Sequence, residues 1–132
     1  MKELEEQFVP RDVALDLRKL GFEDLCFGFY VGKDPVPHLL NDGIVKDTNF
    51  RLDSRGCFRA PTREQAISFL ETKSMFAEIF IDMTAEPKWC FQIYKYEDFG
   101  NWEEIQNLDF SLYRTKPEAE LECIKKMIRH LL

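Results

Sequence analysis

Two histidines and four cysteines are the side chains best suited to acid–base, nucleophilic or metal chemistry in this 132-residue chain. His38 stands in PVPH and His130 in RHLL. Neither accompanies a nucleophile at a strand-to-helix elbow, and neither G-x-S-x-G nor H-E-x-x-H occurs. Both are therefore expected to be solvated surface residues. Cys26, Cys57, Cys90 and Cys123 are almost evenly spaced, but they form no C-x-x-C pair and have no histidine at zinc-ligand spacing. Even spacing would suit a repeat, yet the flanks disagree: Cys123 falls in a helical pattern, Cys26 and Cys90 in strand-like runs. Four reduced, mostly buried thiols acting as small hydrophobes are expected. With 24 acidic residues, accidental carboxylate pairs are unavoidable. Glu103 and Glu104 in NWEEIQN are expected on a short exposed helical turn. Gly28, Gly32, Gly43 and Gly56 are isolated, so no phosphate-cradling loop exists. No catalytic set, metal or cofactor follows from these residues, and the chain reads as non-catalytic.

The charge balance narrows the partners. Eighteen basic against 24 acidic residues leave a net charge of -6, which disfavours phosphate backbones and anionic membranes. No window approaches the apolar length needed to span a bilayer, and the opening MKELEEQFVPRDV is acidic and polar, unlike a secretory signal. A cytoplasmic protein is expected. The hydrophobic fraction of 45% and aromatic fraction of 14% suit a single domain, residues 1–132, around one core.

The elements that must position these side chains are legible in part. PRDVALDLRKLGF puts Val13, Leu17 and Leu20 on one helical face, with Pro10 for the first turn and Gly21 as the stop. Leu25 to Val31 is short and aromatic, and reads as a strand. From Gly32 to Ala60 prolines, glycines, Asp and Asn blur the pattern, with short strands expected near IVKD and CFRA. Thr62 and Gln65 form a capping box opening a helix whose stripe is Ala66, Phe69 and Leu70. A second box, Thr115 and Glu118, opens a helix with the stripe Ala119, Cys123, Ile124, Met127, Ile128 and Leu131. Its acids come early and its bases late, which complements the helix dipole, and Glu122 with Lys126 makes an i,i+4 pair.

Three runs between the helices alternate with period two: FAEIFIDM, KWCFQIYKY and LDFSLYR. They predict an antiparallel meander whose core face carries Ile79, Ile81, Trp89, Phe91, Ile93, Leu108, Phe110 and Leu112. The expected fold is α+β: this meander, extended by the N-terminal strand or strands, packed on one face by helices. The opposite face would then show Phe80, Tyr94, Tyr96 and Tyr113 among Glu78, Asp82, Gln92 and Asp109. Aromatics on a nominally solvent face make a candidate partner surface, whose members are Phe80, Tyr94, Tyr96, Tyr113, Glu78 and Gln92. The competing expectation is that the N-terminal strand and the long loop cover that face.

Leu20-Gly21-Phe22, Cys26-Phe27, Pro61-Thr62 with Gln65-Ala66, and Glu118-Ala119 with Cys123 together resemble a family of small proteins encoded by phages and mobile elements of Bacteroides-type bacteria. The resemblance covers most of the chain outside Gly32 to Ala60. It departs late in the middle helix, where Phe69 and Leu70 stand in place of the family's frequent aromatic pair. It implies origin and fold, and no mechanism, because the shared positions are caps, turns and core. The expected function is a protein-interaction or self-associating module, including a homodimer. The alternative is nucleic-acid binding by an α-β-β-β-α half like that of double-stranded-RNA-binding domains, with Lys125, Lys126 and Arg129 as contacts. Against it, the start of the last helix (Lys116, Pro117, Glu118, Glu120, Glu122) is predominantly acidic.

Overall fold

The computed structural model describes residues 7–24, 26, 28–39, 57–83, 88–98, 100–106 and 113–132. The fold is α+β. Its elements are α1 (Arg11–Lys19), β1 (Gly28–Val31), β2 (His38–Leu39), β3 (Cys57–Ala60), α2 (Arg63–Thr72), β4 (Met75–Asp82), β5 (Lys88–Tyr96), β6 (Trp102–Gln106) and α3 (Lys116–Leu131). They form two antiparallel sheets, ordered β2-β1-β3 and β4-β5-β6. The chain divides into two compact units, residues 1–66 and 67–132.

In the first unit, α1 begins where Pro10 holds φ at -60° and buries Val13, Ala14 and Leu17 on one face. Its end is a Schellman motif. Gly21 adopts φ +99°, its N–H bonds the Arg18 carbonyl, and the Phe22 N–H reaches back to the Leu17 carbonyl, both at 3.0 Å. Phe22 and Leu17, the positions at which that motif commonly carries apolar side chains, are both buried.

β1 pairs with β3 through Phe29–Arg59 and Tyr30–Phe58, and with β2 through Phe29–His38. The N-terminal strand thus belongs to a sheet of its own rather than extending the C-terminal meander as expected. The backbone at Gly28 is closely approached: a Cβ at this position would stand 3.0 Å from the His38 carbonyl oxygen and 3.1 Å from the Phe8 ring, tighter than ordinary contact. Residues 7–9 run beside 61–63, joined by Val9 N–H to Pro61 O and Arg63 N–H to Gln7 O, each 2.9 Å. Tyr30 stacks on Phe58 at 5.5 Å and donates its hydroxyl proton to the Val9 carbonyl. The expected strand near IVKD lies outside the described residues.

In α2 the capping box forms. Thr62 N–H donates to Gln65 Oε1 at 3.1 Å, and Gln65 N–H donates to Thr62 Oγ1 at 3.2 Å. At its far end Ser74 takes φ +65°, the only non-glycine with positive φ among the described residues.

In the second unit β4 and β5 pair without interruption from Met75–Lys95 to Asp82–Lys88. The third described strand is β6, at residues 102–106, which corrects one expectation: Glu103 and Glu104 lie in a strand, not on a helical turn. Residues 108–112 lie outside the described residues, and Tyr113 makes an isolated bridge to Trp89. The turn is made by Glu97 N–H to Asn101 O at 2.9 Å, Asn101 N–H to Asp98 O at 2.7 Å, and Gly100 at φ +81°. Cross-strand contacts to the Trp102 ring then outweigh the weak strand preference of the two glutamates.

α3 is capped by Thr115, whose Oγ1 accepts from the Glu118 N–H at 3.3 Å. It buries Ala119, Cys123, Ile124, Met127 and Ile128. Burial of side chains such as Ile124 and Met127 stabilises by roughly 1.5–3 kcal/mol each. Glu122 pairs with Lys125 at 3.4 Å, while Lys126 sends its ammonium over the Phe91 ring, 5.3 Å from the centroid. Among the described residues no helix is long and apolar enough to cross a membrane.

Candidate functional site

Directly paired residues of antiparallel strands share a face. The register therefore puts Ala77, Ile79 and Ile81 with Ile93, Phe91 and Trp89 on one side of the second sheet. Phe76, Glu78 and Phe80 share the other side with Tyr94, Gln92 and Cys90. On β6, Glu104 joins Tyr94 and Trp102 joins Tyr96 on that second side.

α3 lies against the first side. Lys126 covers Phe91, and Lys116 covers Trp89 at 5.8 Å. Phe91 and Ile93 are buried there. Ile81, expected in the core, is instead 42% exposed, because it sits near the open end of β4, an edge strand.

The second side carries the candidate site. Trp102 meets the Phe76 ring edge-on at 5.2 Å and the Tyr96 ring at 4.9 Å, yet remains 54% exposed. Tyr96 is fixed further by its hydroxyl, which accepts the Gly100 N–H at 3.3 Å. Gln92 donates its amide to the Glu104 carboxylate across the strands. Partial desolvation, and then the Glu78 and Glu104 carboxylates, push the Tyr94 phenol above its ordinary pKa. The face thus presents half-exposed aromatic rings flanked by two exposed carboxylates, Glu78 and Glu104. Rings of this kind receive cations and other rings well.

Of the residues expected at this surface, Phe80, Tyr94, Tyr96, Glu78 and Gln92 share the face. Tyr113 does not. It pairs with Trp89 and stacks on Phe91 at 5.8 Å, which places it on the side of α3. An isolated bridge at the far end of β5 set its register, and no periodicity in its own neighbourhood revealed that. Phe76, Trp102 and Glu104 were missed. The alternation of Trp102 and Glu104 against Glu103 and Ile105 was the available signal, hidden by the poor strand propensity of paired glutamates.

His38 is exposed, stacks on Phe29 at 5.4 Å and pairs with Asp34 at 3.1 Å. The Val36 N–H, and then His38, hold the Asp34 carboxyl below its ordinary range. In the other unit Arg129 and His130 line a recess of about 310 Å³ with Ile93, Ile105 and Lys126. Among the described residues no group of three His, Cys, Asp or Glu side chains could hold a metal ion. No disulfide joins the four cysteines.

No protein-family model, curated protein or solved structure matches this chain.

Proposed function

We propose that this chain is a non-catalytic protein-interaction module, of the kind carried by phages and mobile elements of Bacteroides-type bacteria. It binds a partner segment rich in arginine, lysine and aromatic residues through the outer face of the second sheet. One observation carries this: Trp102 stands half exposed while Phe76 and Tyr96 hold its ring in a fixed orientation. A large rigid ring held open to water is what interface hot spots are made of. Glu78 and Glu104 beside Tyr94, together with the net charge of -6, give the partner its sign.

The test is fluorescence polarisation with labelled basic-aromatic peptides and with acidic-aromatic peptides as the control. The basic set binds and the acidic set does not. Trp102→Ala weakens binding about tenfold or more, the range of a hot-spot truncation. Its melting temperature drops only modestly, since two edge-on ring contacts are worth about 1 kcal/mol each. Equal binding of both peptide sets, or binding that survives Trp102→Ala, defeats the proposal.

Nucleic-acid binding by the last helix has less support. The order helix, three strands, helix is present from α2 to α3. Of its expected contacts, however, Lys125 is engaged by Glu122 and Lys126 sits over Phe91.

A further inference from the structure

The geometry points to β4 as a dimerisation edge: it pairs antiparallel with β4 of a second copy, about a two-fold axis at Ile79, to give one continuous six-stranded sheet.

The direction of the backbone groups comes first. In an antiparallel strand each residue turns its N–H and C=O to the same side, and the side alternates. Trp89 exchanges both of its bonds with Tyr113, at 2.8 Å each, while the Tyr96 N–H reaches Ser74 O on the β4 side. Even-numbered residues of β5 therefore face β4. Through the register, Phe76, Glu78 and Phe80 answer them. Ala77, Ile79 and Ile81 consequently point their N–H and C=O groups outward, and none of the three has a hydrogen-bond partner for them among the described residues.

Free sheet edges are normally blunted by shortness, charge, proline or a bulge. β6, the opposite edge, is blunted: it has five residues, two of them glutamates, and a register shift against β5 between Ile93 and Tyr94. β4 is longer, eight residues, MFAEIFID; it carries two carboxylates, Glu78 and Asp82, but no lysine, no proline and no bulge against β5. Ile81 is 42% exposed and Met83 beyond it is 70% exposed. Among the described residues no strand pairs with this edge, whose outward-pointing positions are Ala77, Ile79 and Ile81.

Charge then selects the occupant and the register. Only ladders centred on a residue, rather than between two, bring outward groups opposite outward groups. Centred on Glu78, the ladder sets that carboxylate against its own copy. Centred on Phe80, it sets Glu78 against Asp82 twice. Like charges directly opposite are destabilising. Centred on Ile79, Glu78 faces Phe80, Asp82 faces Phe76, and no carboxylates meet. The same register lays Ile81 against Ala77 and Met83 against Met75 of the second copy, which covers both exposed apolar side chains. Of the two registers that overlap the most of β4, those centred on Glu78 and on Ile79, only the second keeps carboxylates from standing directly opposite.

Light scattering and amide hydrogen exchange test it together on the full chain. Wild type is expected to pass with rising concentration from 15.7 kDa to twice that mass. Over the same range the amides of Ala77, Ile79 and Ile81 become protected, while those of Glu78 and Phe80 are protected throughout. Ile81→Lys, at a position already exposed, weakens the dimer about tenfold or more with an unchanged circular dichroism spectrum. Trp102→Ala leaves the dimer intact, so this edge and the aromatic face fail separately. A chain that stays monomeric, or a dimer in which Ala77, Ile79 and Ile81 exchange as fast as in the monomer, overturns the proposal.

Discussion

Tyr30 shows what one side chain contributes in this fold. It is 1% exposed, stacks on Phe58, and donates its hydroxyl to the Val9 carbonyl in the segment beside residues 61–63. Burial first, and the Asp12 carboxylate second, push its phenol up to about 12. A folded pKa above the ordinary value means that folding favours the protonated phenol. Its contribution is therefore fully present below about pH 10 and is lost as pH rises towards 12. Tyr30→Phe is expected to cost about 1–2 kcal/mol at pH 7, because the Val9 carbonyl loses its donor. Denaturant titrations at neutral and alkaline pH check this: wild type should lose stability more steeply than the variant above pH 10. Equal slopes would show that the phenol does not titrate with unfolding.

At the scale of elements, the ends of helices were the most legible feature. The Thr62–Gln65 box and the Thr115 cap form because a hydroxyl three residues ahead of an amide needs only local geometry. Gly21 terminates α1 for the same local reason. Ser74 is the exception. Its N–H bonds Glu71 O at 3.0 Å, and Leu70 and Met75 on either side are buried, so the turn has the form of a helix stop with serine where glycine belongs. Ser74→Gly should relieve the left-handed strain and stabilise the protein by about 0.5–1 kcal/mol, net of the extra freedom gained by the unfolded chain. A raised midpoint in denaturant with an unchanged slope would confirm it, and a lowered midpoint would refute it. Strands were harder. β4 and β5 announced themselves by alternation, but β6 did not, since glutamates at 103 and 104 suppress its propensity and only pairing with β5 supplies the compensation.

At the scale of the whole molecule, the cysteines report on how tightly each unit is closed. Cys26, Cys90 and Cys123 are buried and Cys57 is partly exposed. Desolvation pushes the Cys123 thiol up to about 12 and raises that of Cys90. A thiol reagent at pH 8 should label Cys57 quickly and the other three only when the structure opens, because the thiolate is the reactive form. Mass spectrometry of the labelled native protein checks this, and fast labelling of Cys90 or Cys123 would contradict the packing.

Helices with their caps, the α+β class and two of the long strands were determined by local pattern: each depends on residues within a few positions of one another, where spacing alone sets geometry. What joined what was decided only in three dimensions. The aromatic strand Gly28–Val31 formed its own sheet, Tyr113 turned to the helix side, and Trp102 became the centre of the exposed face. Strand pairing is non-local: a bulge between Ile93 and Tyr94, or a bridge at Trp89, reassigns faces without leaving a mark in the segment it moves.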